Sequence, residues 1–313
     1  MLTKREVVKA TLAHQDVGQV PFFINFTPDA QEIVQPHYPG PDFSVALGNY
    51  VHGIRPPWWA WHDVPESYQS YPDPGVLPKT RGTGSYEAFE EELQRLRQET
   101  DCYILVMVYG SFFEKANSAR SMEYFLGDLG GNQVFARRLL DKIISKNVVM
   151  LENILSFPEI DGVLLGSDWG SQHGLLMSAD MWREQLAPGE RYEYKLVHEA
   201  GKDVWLHSCG NMEAILDDLV EMGLDVLNPV QPECMDIYRL KDRYGPQLTF
   251  WGGISTQQTL PYGTPDELRA EIDRVVGYMS QGGGYITAPA QYIQTDVPLE
   301  NMLALIEQAR SHA

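Results

Sequence analysis

The regular alternation of short apolar runs with longer amphipathic segments constrains this chain more than any other feature. Seven runs rich in β-branched and aromatic residues read as strands: Val20–Ile24, Tyr103–Val108, Gly162–Leu165, Val204–His207, Val226–Asn228, Leu248–Trp251 and Tyr285–Ala288. Helical periodicity predicts helices over Tyr86–Gln98, Val134–Leu155, Ala179–Ala200, Met212–Met222, Asp236–Tyr244, Pro265–Met279 and Leu299–Ala309. Thr264, Pro265 and Glu267 form a capping-box start, and Gly201, Gly223 and Gly245 stand where helices should end. Such alternation predicts a parallel sheet covered by helices, closed into a barrel with about eight units or open and doubly wound with fewer. A length of 313 residues suits a barrel of about 250 residues plus insertions. The alternation leaves an eighth strand unplaced. The Pro-, Tyr- and Trp-rich stretch 34–83 does not fit it and reads as one long insertion, a lid or a partner surface, within a single domain.

In parallel α/β folds the reactive groups lie just past the C-terminal ends of strands. Five successive strand ends here run into polar, Gly- or Pro-containing loops. Gly162–Leu165 leads to Asp168, Gln172 and His173; Val204–His207 leads to His207-Ser208-Cys209-Gly210. Val226–Asn228 leads to Asn228, Gln231, Glu233 and Cys234; the last two lead to WGGIST and to APAQYIQTD, with Gln291. Two residues apart on one strand end, His207 and Cys209 project to the same side. Imidazole and thiolate are preferred zinc ligands, although a buried His and Cys that merely pack would look the same. Cys234 is either a third ligand or a small apolar residue opening the next helix. Cys102 precedes its strand and belongs at the opposite end. Trp58, Trp59 and Trp61 either stack a substrate or pack a long loop. Gly282-Gly283-Gly284 enters a strand rather than a helix, so it reads as a tight turn and not as a phosphate loop.

Charge narrows the partners. With 43 acidic and 24 basic residues the net charge is −19, a field that repels nucleic acid and anionic lipid. No run approaches the ~18 apolar residues of a membrane span. The start of the chain reads as an amphipathic helix rather than a signal peptide, and three cysteines are no disulfide framework. A cytoplasmic protein acting on a small molecule is expected, with a homodimer as the commonest form of self-association.

The segments DGVLLGSDWGSQHGLLMS, VWLHSCGNM, LDVLNPVQPE, LTFWGGISTQQTLPYGTPDELR and GGGYITAPAQYIQTDVPLENMLAL resemble the uroporphyrinogen decarboxylase superfamily. TKREVVKATLAHQDVGQVPF and FFEKANSARSMEYFLGDL extend the likeness over most of the chain outside 34–83. The resemblance implies a (β/α)8 TIM barrel. It is nearer to the methyltransferase-like branch than to true decarboxylases. Decarboxylases carry an Arg-containing motif soon after the first strand, where this chain reads FFINFTPDAQ. That branch implies a zinc-dependent transfer of a methyl group between a corrinoid, supplied by a partner protein, and a small thiol or related substrate.

The branch binds zinc through H-x-C, matched by His207 and Cys209, and a distant Cys near the last strand, where this chain has Gln291. Asp168, Glu233, Cys234 and Gln291 are then the candidates for a third ligand. Asp168 is expected to orient substrate or the His207 ring, and Gln172, Asn228, Gln231 and Gln291 to bind substrate. Two alternatives remain at this stage. One is metal-independent decarboxylation of uroporphyrinogen or another carboxylic acid. The other is a non-catalytic barrel that docks a corrinoid protein.

Overall fold

A computed structural model describes residues 2–69 and 75–313. Its nine strands are β1 (Val51–Ile54), β2 (Trp58–His62), β3 (Lys79–Thr83), β4 (Tyr103–Val108), β5 (Gly162–Gly166), β6 (Asp203–His207), β7 (Val226–Val230), β8 (Thr249–Ile254) and β9 (Tyr285–Pro289). β1 and β4 to β9 form one parallel sheet in chain order, while β2 and β3 pair as an antiparallel hairpin. The core strands β4, β5, β7, β8 and β9 are buried along their whole length, as expected of parallel strands covered by helices on one side and filled on the other.

The sheet closes through the segment around Phe22. Phe23 N–H donates to Thr287 O (2.9 Å) and Thr287 N–H to Pro21 O (2.9 Å), joining this segment to β9. On its other side Tyr50 N–H donates to Phe22 O at 3.1 Å. The Asn49 side chain continues that seam, its Oδ1 accepting from Ile24 N–H and its Nδ2 donating to Ile24 O, both at 2.9 Å. A side-chain amide thus replaces the peptide group that a regular ladder would use. With this segment as the first stave and β1 as the second, the barrel has eight, the (β/α)8 architecture expected.

Two expectations need correction. Val20–Ile24 makes only a bridge, Phe22 to Thr287, rather than a full strand. Stretch 34–83 is not one insertion, because β1 within it is a barrel stave paired with β4. Only the hairpin and its flanks stand outside the barrel, and residues 70–74 of the aromatic-rich stretch lie outside the described residues. The hairpin's rings are engaged in packing. The indole N–H groups of Trp58 and Trp59 both donate to Asn147 Oδ1, and the Lys115 ammonium lies 4.0 and 4.5 Å from the two rings.

The other elements follow the sequence closely. The capping box at Thr264 and Glu267 forms. Gly201 and Gly223 take positive φ, whereas Gly245 stays right-handed at its helix end. The helix expected over Ala179–Ala200 breaks at Leu186 into Ala179–Gln185 and Ala187–Glu199, because Pro188 has no N–H to continue the ladder. Cys102 is buried at the N-terminal end of the barrel with its thiol on Asn49 O. Among the described residues no helix is long and apolar enough to cross a membrane.

Asn49 carries the closing seam, so Asn49→Ala should cost about 2–4 kcal/mol by leaving buried groups of Ile24 unpaired. Thermal or urea unfolding measures this. A loss under about 0.5 kcal/mol would mean that the seam closes without the side chain.

Candidate active site

Alternation along β6 sets the floor and the first reactive group together. Trp205 and His207, two residues apart, both face the barrel axis. Trp205 packs edge-to-face on Trp251 (5.2 Å), which in turn meets Phe23 (5.0 Å). This aromatic layer fills the barrel beneath the mouth. His207 stands above it, 17% exposed, with Tyr109 edge-on against its ring at 4.8 Å. Its Nδ1 lies 2.7 Å from Asn228 Oδ1. An amide oxygen only accepts, so Nδ1 holds the proton and Nε2 presents its lone pair. Burial keeps the imidazole pKa below its usual value and hence the ring neutral near pH 7.

The lone pair points at sulfur and carboxylate. Cys209 Sγ is 3.5 Å from Nε2, and Asp168 Oδ1 is 3.8 Å from it. Among the described residues these three make the group of His, Cys and acidic side chains whose ligand atoms converge, all within 4.8 Å of one another. A tetrahedral ion with bonds of 2.0–2.3 Å separates its ligands by roughly 3.3–3.8 Å, so the set needs little adjustment to hold one. Burial, then the negative charge of Asp168, pushes the Cys209 thiol up to about 12. A divalent cation between them would reverse that field.

Two glycines let the loops meet. Asp168 Oδ1 accepts the Cys209 backbone N–H at 2.8 Å, which draws the loop after β5 against the loop after β6. A Cβ on Gly170 would lie 2.5 Å from Cys209 O, and one on Gly210 2.5 Å from Gly170 C. Gly210 also has φ +83°, which L side chains rarely adopt.

The remaining sequence candidates divide. Asn228 orients His207, a task the sequence reading gave to Asp168. Gln231 Oε1 accepts the Gly210 N–H at 2.6 Å and so shapes the loop. Gln291 Nε2 donates to Cys209 Sγ at 2.9 Å, placing that residue beside the sulfur. Cys234 turns its thiol to Gln172 Oε1 (3.3 Å), and Glu233 accepts from the Ser255 hydroxyl, so neither joins the cluster.

Sequence reasoning missed Glu114. Its carboxylate accepts the Asp168 N–H and so fixes the loop that carries Asp168. Behind it lie Glu190 and Glu193, both fully buried, with Glu193 Oε1 accepting from Asn147 Nδ2 at 2.8 Å. Burial pushes the Glu114 and Glu193 carboxyls up to about 7. Burial, and then repulsion from Glu193, also raises the Glu190 carboxyl well above the usual carboxylate range. One signal was available: Glu190, Glu193, Tyr194 and Val197 share the buried face of their helix at i, i+3, i+4, i+7 spacing.

The family described as uroporphyrinogen decarboxylase (URO-D) matches residues 82–312. The chain is similar to the methylcobamide:CoM methyltransferase MtaA of Methanosarcina barkeri, 31% identical over 131 residues, 42% of this chain and 36% of that protein. A second such protein, from M. barkeri strain Fusaro, is 33% identical over 101 residues, 32% and 28% of the two chains. The chain thus spans about a third of the curated relatives it matches. A methyltransferase from Methanosarcina mazei shares the fold, with a TM-score of 0.69 over 99% of both chains at 19% identity.

The buried glutamates give the fold a pH signature. A carboxyl whose folded pKa is raised is neutral in both states below about 4.5, and as pH rises the unfolded chain ionises first. Stability therefore falls as pH climbs through the raised value. Glu190→Gln removes this loss, so its Tm gain over the parent should be larger at pH 8 than at pH 5 by roughly 2–4 °C. An equal gap at both pH values would contradict it.

Proposed function

This chain belongs to the uroporphyrinogen decarboxylase family, and we propose that it is a methyltransferase of that family's methyltransferase-like branch. It moves a methyl group between a corrinoid, carried by a partner protein, and a small thiol or related nucleophile. The observation that carries this reading is the meeting of His207 Nε2, Cys209 Sγ and Asp168 Oδ1 at 3.5 and 3.8 Å on the barrel mouth. Similarity to the methylcobamide:CoM methyltransferases supports the chemistry.

Zinc fits this donor set. One imidazole, one thiolate and one carboxylate are ligands it accepts, and three protein ligands leave the open fourth position of catalytic sites. Bound there, the ion would supply Lewis acidity that brings a substrate thiol to its nucleophilic thiolate form at neutral pH. The chain's own residues do the positioning. Asn228 fixes the His207 tautomer, Asp168 and Glu114 lock the two loops together, and Gln291 holds the Cys209 sulfur. Trp251 and Tyr109 wall the pocket with rings and limit water around the reacting atoms.

Zinc analysis and transfer from methylcobalamin to added thiols test the proposal together. Purified protein should hold close to one zinc per chain. The double variant His207→Ala, Cys209→Ser should lose the metal and slow transfer by at least about 100-fold. Metal-free parent protein with unchanged properties in the double variant would overturn it.

A further inference from the structure

Two sulfurs meet at this mouth when a thiol is bound for transfer, that of Cys209 and that of the incoming thiol. A tetrahedral ion with bonds to sulfur of about 2.3 Å sets them roughly 3.8 Å apart, and both are thiolates. A methyl donor presented to one is then presented to the other. Transfer to the substrate sulfur gives product. Transfer to Cys209 would leave an S-methylcysteine, an uncharged thioether that is a weak ligand for zinc, and the site would be lost. Only a difference between the two sulfurs can direct the methyl group.

Gln291 supplies such a difference. Its Nε2 donates to Cys209 Sγ at 2.9 Å. Among the described residues it is the N–H donor on that sulfur, since His207 keeps its proton on Nδ1. The main chain on either side is pinned, Ala290 N–H donating to Ile254 O and Ile293 N–H to Asn25 O, both at 3.0 Å. The side chain therefore starts from a fixed place just past β9. Gln291 also lines the pocket beside His207, whereas Cys209 does not, so the group that touches the sulfur is one that an occupant of the pocket meets. A metal-bound sulfur carries no proton, and the N–H end of the amide is the end that suits it. A hydrogen bond to an ionised acceptor is among the stronger ones, and it draws on the same lone-pair density that an attack on carbon uses. Cys234 has no equivalent. Its thiol faces Gln172 Oε1 at 3.3 Å and Gln231 Oε1 at 3.9 Å, both acceptors.

We propose that Gln291 determines where the methyl group goes: its N–H on the Cys209 sulfur keeps that sulfur from competing with the substrate as methyl acceptor. The step it suppresses balances as the productive one does. The sulfur lone pair forms the S–C bond while the C–Co bond breaks. The electron pair of that bond stays on cobalt, so the corrinoid passes from Co(III) to Co(I). No further oxidant or reductant enters, and no proton moves because the sulfur is already a thiolate. The inference rests on the reading of the site as a corrinoid-linked methyltransferase, whereas the shielding of Cys209 by Gln291 is testable without it.

Two methylating agents test it on the full-length, zinc-loaded protein, with peptide mass mapping of Cys209 and Cys234 as the readout. Methyl iodide needs no corrinoid; methylcobalamin is given first without thiol and then with 2-mercaptoethanol. Gln291→Leu keeps the bulk of the side chain and removes its donor, while Gln291→Lys keeps an N–H donor. With methyl iodide, Cys209 of Gln291→Leu should react at least about tenfold faster than in the parent, Cys234 serving as internal reference. Gln291→Lys should stay within about threefold of the parent. With methylcobalamin alone, Gln291→Leu should accumulate a methyl group on Cys209 and the parent should not. Equal Cys209 reactivity in parent and Gln291→Leu would overturn the inference. So would loss of zinc from Gln291→Leu, which would make Gln291 a ligand, or an unmethylated Cys209 in a Gln291→Leu protein that still methylates the added thiol. If the methyl iodide difference holds while methylcobalamin methylates neither cysteine nor thiol, the shielding of Cys209 stands. The corrinoid reading is then what fails.

Discussion

The hydrogen bond from the Cys209 backbone N–H to Asp168 Oδ1 is the contact on which the site depends. It joins the loops of two adjacent barrel strands and brings a carboxylate to a sulfur and an imidazole that β6 alone would leave as a pair. It exists because Gly170 and Gly210 let the two backbones approach closer than any Cβ would permit. Glu114 holds the far side of the same loop through the Asp168 N–H. The positioning is thus mostly backbone-based, which is stiffer than positioning by long side chains.

Charge is distributed along the barrel in a way that serves this arrangement. The N-terminal end neutralises its carboxylates with Arg5, Lys9 and Arg97 and is closed by ion pairs. At the C-terminal end Arg239 pairs with Glu213, whereas the Asp168 carboxylate meets His207 and the Cys209 N–H and, among the described residues, forms no ion pair with an arginine or lysine. Burial, and after it the neighbouring Asp168 carboxylate, disfavours the thiolate form of Cys209 and pushes its pKa up. The same grouping becomes favourable when a divalent cation supplies the missing charge. The aromatic layer of Trp205, Trp251 and Phe23 beneath the mouth keeps solvent from reaching the cluster from below.

Much of this was legible in the sequence where a local pattern encodes it. β4, reading YILVMV, and the other buried staves announce themselves by continuous apolar residues. The His207-x-Cys209 spacing correctly placed two side chains on one side of the chain. β1 was hidden because VHGI has a histidine and a glycine in four residues, and the first stave because a single bridge and the Asn49 side chain do the work of a ladder. Among four candidates for a third ligand, sequence distance could not choose. Asp168 differs from Cys234 and Glu233 only in tertiary position, set by the meeting of Gly170 with Gly210. Glu114 lies in a helix, FEKANSAR, whose composition reads as exposed, and its burial comes from the loop that packs over it.

X-ray absorption at the zinc edge of the metal-loaded protein is the most direct test of the central claim that His207, Cys209 and Asp168 share one ion. The account expects a first shell with a single sulfur at about 2.3 Å and nitrogen or oxygen ligands at about 2.0–2.1 Å, the sulfur disappearing in Cys209→Ser. A shell with two sulfurs would mean that Cys234 moves in. A shell with none would mean that the ion binds elsewhere, and either result would contradict the site described.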